Sequence, residues 1–432
     1  MMAISTMTSN PLKTWLAARA ATDDAALLKL RDRAEAWLQE SALPTTRDEE
    51  WRFTDLSAIA KLDFAAPAVL TAPEVESLCT EAELRLTFAN GRYCEARSSF
   101  DKLPSKTYVG VWSQASQEIR DRVSAFVAQH TNVNKPFAAL NAASVEDFAI
   151  VWLGAGAIVE TPISLLNVAA AAGDAIVNTR VVVVAEANSS ATIVEEFVSE
   201  GPGTSGNCLS NAAIDLHLAD NAEVNHLTVQ REVSTTTHIH HIDATQSRDS
   251  RYASHIVTLG AGLSRQEIEV VQTGAGTATT LNGLSAIGDK QLADTHTVVS
   301  LQHPHSTIDQ LCKNIVGDRA RAVFDGRIVV AQKAQQTRAD QLNRNLLTSP
   351  KARVNTKPQL EIVADDVKCS HGATVSQLEA DELFYLQSRG LDRSLSTKLL
   401  IDAFAAEILE ALPVASVGEA IAAMTASANL KS

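Results

Sequence analysis

Cys369 and His371 stand two apart in the run Val367-Lys368-Cys369-Ser370-His371-Gly372. On an extended backbone, residues i and i+2 project to one side. A thiol and an imidazole would therefore share one face. A soft thiolate with an imidazole is half of a transition-metal ligand set. Ordinary centres take three or four ligands, so another chain would have to complete this one. From spacing alone, the plainer reading of such a pair is structural.

Other constellations carry less chemistry. His238, His240 and His241 lie in THIHHID, where His238 and His240 share a strand face. A solvent-facing polar strand is the preferred reading there, with a metal cluster as the alternative. His303 and His305 flank Pro304 and read as a turn. The glycine-rich stretches LGAG, TGAG and GPGTSG are not dinucleotide fingerprints. Gly201–Gly206 has the spacing of a phosphate loop, but Asn207 stands where the lysine belongs, so no ATP site is expected in this chain. Sugar-polymer cleavage needs converging carboxylates. Asp365 and Asp366 are adjacent and would point opposite ways, and Arg338 with Asp340 makes no convincing set.

The composition limits the classes of function. The chain has 432 residues, 45% hydrophobic and 20% charged, enough for two or three domains and a large core. A net charge of −14 disfavours nucleic acid as a partner. No apolar run is long enough to span a membrane, and the start has no secretory pattern. The five cysteines are widely spaced without a CxxC, which suits a reduced cytoplasmic setting and buried small side chains.

The elements that must present Cys369 and His371 follow from periodicity. Leu28, Leu30, Ala34, Trp37 and Leu38 mark an early helix that Pro44 stops. Leu84, Leu86 and Phe88 alternate before Asn90-Gly91, a hairpin signal. A helix is expected over roughly 113–129. From about Ala142, short β-branched runs separated by Gly, Asn, Asp and Ser turns continue for over 200 residues. A sandwich would close sooner, so a β-solenoid is favoured. After it, Ser376 with Glu379 reads as a capping box and Gly390 as a left-handed helix stop. Leu395, Leu399 and Ala403 form one helical row, and Leu400, Phe404, Ile408 and Leu412 another. This helical pair would cap the open last turn or dock another chain. The expected division is residues 1–140, mostly helical; 141–376, the β core; and 377–432, a helical tail.

Several long stretches resemble one family. ADDVKCSHGAT (364–374) followed by FYLQSRGL (384–391) is similar to the C-terminal signature of the SufB/SufD family of iron–sulfur cluster assembly, in its SufD form. Val323–Leu347 is similar to that family's F-x-G-x-I and A-Q-x-T-x-A-x-Q-x-N-x-N-L-L segment, and KPQLEI (357–362) and RDEEWRFTDL (47–56) match as well. The resemblance implies a mainly β chain, with a right-handed parallel β-helix between a helical N-terminal domain and a helical C-terminal domain. It also implies a scaffold and not an enzyme, with no catalytic residue. Its implied partners are a SufB-like paralogue, paired through the last strands, and a SufC ABC-type ATPase. His371 would contribute to a transient iron–sulfur cluster at the paralogue interface, with Cys369 as a ligand or a structural thiol. Leu383, Phe384, Leu386, Arg389, Gly390, Leu400, Phe404 and Ile408 would meet the ATPase. The link over 372–377 would carry motion between the two surfaces. The alternatives are a β-helix lyase or hydrolase, and a SufB-like paralogue acting as a homodimer.

Overall fold

Turn-forming Asn and Asp residues explain how the middle of the chain coils. Asn188, Asn221, Asp249, Asp289 and Asp318 all have positive φ. These are the non-glycine residue types that best tolerate the left-handed region, so each serves as a tight corner between strands. The corners stack, with the Asn221 side-chain amide donating to Asn188 Oδ1 at 2.9 Å. In this computed structural model, residues 10–428 are described, apart from 18, 20, 71–72, 101–102, 171–172 and 202–205. Most of the GPGTSG stretch therefore lies outside the described residues.

The strands alternate between two sheets and build a parallel β-solenoid. Leu292, Arg321 and Arg353 occupy one register position on three successive turns of the first sheet. Thr307, Arg338 and Lys368 do so on the second. Strands of alternate parity turn one face into a shared lumen, filled by Ile214, Leu216, Ile242, Val270, Val299, Ile328 and their neighbours. A solenoid was the expected core, and the structure has one.

The N-terminal part is not separate from this core. Leu84–Ala89 pairs in parallel with Ile163–Ala169, and Thr107–Val111 pairs antiparallel with Ala149–Leu153, so both sheets begin before residue 140. The Asn90-Gly91 turn has the two positive φ values that a tight hairpin requires. Helices Ala25–Glu40 and Gln117–His130 are capped by Asp24 and Ser116. A further helix, Pro136–Ser144, was missed in the sequence. It is buried on nearly every side, so no amphipathic stripe reveals it.

The motif RDEEWRFTDL finds its role on the outer face of the first sheet. Trp51 is buried under the Arg265 guanidinium, 3.8 Å above its ring, and Thr54 donates to Asp294 Oδ2 at 2.5 Å. Arg265 also pairs with Glu267 and Asp294. Burial would raise the Asp294 carboxyl, but His296 and Arg265 beside it hold it down at about 2.

At its other end the solenoid stays open. The last strands, Arg353–Ile362 and Val367–Gln377, each pair on one side only. The C-terminal helices do not cap this rim. Helix Arg393–Leu409 folds back along the outside of the second sheet, burying Ile401, Ala405 and Ile408 on Leu284, Ile315 and Leu346. Helix Ala415–Ala428 continues over Val194, Leu227 and Val257. Burying the apolar rows on the flank leaves none to close the end.

Candidate functional site

Strand Val367–Gln377 carries both candidate donors and lies in register on Thr337–Leu347, with Cys369 beside Ala339 and His371 beside Gln341. The A-x-Q-x-N-x-N run is now physically legible. Thr337, Ala339, Gln341, Asn343 and Asn345 are buried and alternate with more open residues, so they face the lumen. Paired positions of a parallel sheet project to one face. Cys369 and His371 therefore continue two of these inward columns on the last rung. The shared face read from the sequence is present.

The two side chains sit in different surroundings. Cys369 is half-buried and packs against the lumen core. Burial pushes its thiol above the ordinary value, and the Asp340 carboxylate adds to this, while a backbone hydrogen bond with Ala339 opposes it. A raised thiol is a poorer free nucleophile and needs a metal or cationic neighbour to ionise. His371 is exposed at the open rim. Among the described residues, no group of three His, Cys, Asp or Glu could hold a metal ion. The rim carries the two candidate donors, Cys369 and His371, on one strand.

Inside the lumen, a ladder of side-chain amides runs up to His371. Gln310 Nε2 donates to Thr297 Oγ1 at 2.9 Å, and Gln341 Nε2 donates to Gln310 Oε1 at 2.9 Å. Asn343 donates to the Cys312 carbonyl, and Asn345 to Asn343 Oδ1. The glycine of F-x-G-x-I makes room for this ladder. A Cβ on Gly326 would lie 2.5 Å from Gln341 Nε2 and 2.6 Å from Phe324 Cζ. Sequence reading singled out the motif but not the role of Gln341, although its period of two was the available signal.

The THIHHID reading needs correction. His238, His240 and His241 are buried, not solvent-facing. His238 Nδ1 lies 2.8 Å from Glu232 Oε2 and His241 Nε2 3.0 Å from Glu267 Oε2, while Phe197 packs on both His238 and His240. His238 and His240 face the lumen and His241 the outer side, beneath the N-terminal part; both places accept polar side chains when carboxylates partner them, which the sequence alone does not reveal. His303 and His305 do lie in a turn. Asp340 accepts from Ser370 and from Arg338, both at 2.6 Å, and these bonds hold its carboxyl low. A glycoside general acid needs the opposite shift.

The helical residues expected to meet a partner divide between two faces. Phe384 is 72% exposed, and Arg389 and Gly390 are exposed beside it. Leu383, Leu386, Leu400 and Phe404 are half-buried. Ile408 is fully buried on the solenoid and is not a surface residue. The inward row is Ile401, Ala405 and Ile408, with Phe404 packed beside it, and Lys313 fastens it by donating to the Phe404 carbonyl at 2.8 Å and pairing with Glu407. The outward row is the other one: Leu395 and Leu399 are exposed, with Phe384 and Tyr385 on the preceding helix. Gly390 has φ +90°, as its role as a helix stop requires. The helix it ends is Ala380–Ser388; Glu379 stands at its N-cap position without a side-chain capping bond, and Ser376 is still in the strand. Residues 372–377 are likewise paired strand and not a link; only Leu378 and Glu379 join strand to helix.

Comparison with known proteins covers almost the whole chain. A family model described as "SUF system FeS cluster assembly, SufBD core domain" matches residues 167–404, and one described as "SufBD protein N-terminal region" matches residues 17–165. The chain is similar to an iron–sulfur cluster assembly SufBD family protein of Synechocystis sp., at 41% identity over 91% of this chain and 89% of the relative. It is similar to chloroplastic protein ABCI7 of Arabidopsis thaliana at 34% identity, over 90% and 83% of the two chains. It is also similar to iron–sulfur cluster assembly protein SufD of Escherichia coli, at 32% identity over 89% of each.

Proposed function

The chain belongs to the SufBD family of iron–sulfur cluster assembly proteins, and from that membership we propose that it is a cytoplasmic, non-catalytic scaffold subunit on which a cluster is built. One observation carries this reading: both sheets end in an unpaired strand at one rim, and His371 and Cys369 stand on one of those strands. An open strand edge is a template for pairing with another chain. The partner of this rim is a SufB-like paralogue, which supplies the remaining ligands. His371 contributes a neutral imidazole to the shared, transient cluster. Imidazole in place of thiolate changes the electronic character of a cluster iron. Cys369 is the second donor once iron lowers its thiol.

ATP is handled elsewhere. A SufC-like ATPase docks on the tail over 377–432, through Phe384, Tyr385, Leu395 and Leu399 with Arg389, while Ile401, Phe404, Ala405 and Ile408 hold the docking helix on the solenoid. Motion enters through Leu378–Glu379 and reaches the rim along the last strand.

The test is co-expression with a SufB-like subunit and a SufC-like ATPase, followed by anaerobic cluster reconstitution read by visible absorption. The complex is expected to form and to accumulate cluster, and the His371→Ala complex to form while cluster yield falls at least about tenfold. Normal yield from His371→Ala would remove the ligand assignment. Sugar-polymer cleavage by the isolated chain would overturn the scaffold reading.

A further inference from the structure

We propose that Gln341 is the positioning residue for His371, fixing its ring orientation and tautomer through the side-chain amide carbonyl. The functional meaning of this rests on the ligand role of His371; the geometry does not. His371 and Gln341 are neighbours in register on parallel strands and project into the same lumen column. Gln341 is 2% exposed, and its amide is pinned because Nε2 donates down the ladder to Gln310 Oε1. With Nε2 committed to Gln310, Oε1 is the end of the amide left free for a donor on the next rung. That oxygen is buried and has no hydrogen-bond partner among the described residues, so the His371 ring would turn to reach it. A buried acceptor without a donor is costly, and few native groups remain so. On the last rung, the side chain in register with it is an imidazole, which carries an N–H.

The direction of the ladder sets the chemistry. In this column the Gln341 and Gln310 amides both donate away from the rim, so it ends on an acceptor and not a donor. An acceptor selects the ring nitrogen that carries the proton and leaves the other with its lone pair. Nδ1 lies nearer the backbone, within reach of the adjacent strand, and Nε2 extends past the rim. Gln341 therefore holds the Nδ1–H form and presents a bare Nε2 outward, as carbonyl and carboxylate partners do for metal-binding histidines. Gly326 belongs to the device, because any Cβ there would displace the Gln341 amide. Thr356, on the last strand of the facing sheet, also has a buried hydroxyl without a partner among the described residues, and serves as the control.

The experiment is nitrogen-15 NMR of histidine tautomers in the full chain without partners or metal, with the His371 signal assigned by its loss in His371→Ala. The wild-type chain and Gln341→Glu, which keeps an acceptor, are expected to show mainly Nδ1–H. Gln341→Met, similar in volume but without the acceptor, is expected to shift the ratio toward Nε2–H by about fivefold, the factor one net hydrogen bond supplies. Thr356→Val is expected to leave the ratio unchanged. An unchanged ratio in Gln341→Met, or an equal shift in Thr356→Val, would overturn the proposal. If the Met variant does not fold, Gln341→Glu decides: the stronger acceptor must raise the Nδ1–H fraction above wild type. A tautomer effect beside normal cluster yield from His371→Ala would sink the ligand reading alone. The reverse pattern would sink the positioning alone.

Discussion

Gly326 shows how a single position can be read only once the fold is known. In the sequence it is one glycine in VFDGRIVV with no local reason to be there. In the solenoid it is the gap through which the Gln341 amide passes beside Phe324. Gly326→Ala should therefore cost about 1–3 kcal/mol by overpacking, measured by urea denaturation; an unchanged midpoint would show that the ladder yields freely. The Cys369–His371 pair was legible because period-two geometry is local, and the structure keeps both on one face. Their partners were not legible. Gln341 lies thirty residues upstream of His371 and becomes its neighbour only through the coil register. The buried histidines were misread for the same reason. Glu267, which partners His241, is its register neighbour on the next strand of the same sheet, 26 residues downstream, where a local reading does not look.

At the scale of elements, the helical tail is where periodicity was right about amphipathicity and wrong about direction. Two rows on one helix are both apolar, and nothing in their spacing says which one the solenoid takes. Lys313 decides it by gripping the Phe404 carbonyl and Glu407 from the neighbouring strand. The outward row can then be tested by itself. Phe384→Asp with Leu399→Asp should abolish capture of the ATPase and leave the melting temperature within about 2 °C of wild type, since both side chains already lie in water. Ile408→Asp should lower the melting temperature strongly by burying an unpaired charge. If the two variants behaved alike, the assignment of faces would fail. The missed helix Pro136–Ser144 makes the complementary point: a helix buried all round leaves no stripe to detect.

Across the whole molecule, buried titratable groups set the response to pH. Burial, the leading cause in each, holds His241 and His255 down at about 4, and His240 well below its ordinary value; nearby His226 adds to this for His240 and His255, while Glu267 pulls His241 the other way. The unfolded chain binds protons on these rings below about 6.5, and the folded chain resists. Their contribution is therefore complete above 6.5 and is lost as pH falls toward 4. Asp243 runs the other way. Burial first, then Asp215 and Glu269, push its carboxyl up to about 8. Its contribution is complete below about 4 and is lost as pH rises to 8. Thermal stability should accordingly peak near pH 6.5, and Asp243→Asn should flatten the alkaline decline. A monotonic rise from pH 4.5 to 8 in wild type would contradict this.

The open rim has one more consequence, which concerns how the molecule breathes. In a coil each turn is stabilised by its own contacts and by the turns on either side. The last turn has a neighbour on one side only, so its local opening free energy is the lowest of any turn in the coil. Amides of 367–377 should exchange with deuterium orders of magnitude faster than those of 263–272, three turns deeper in the coil, and should slow when a second chain pairs along the rim. Equal protection in the two segments would disprove it. The donors thus stand on the part of the chain with the most freedom to adapt its shape, and a bound subunit would quench that motion and set the cluster pocket in the same event.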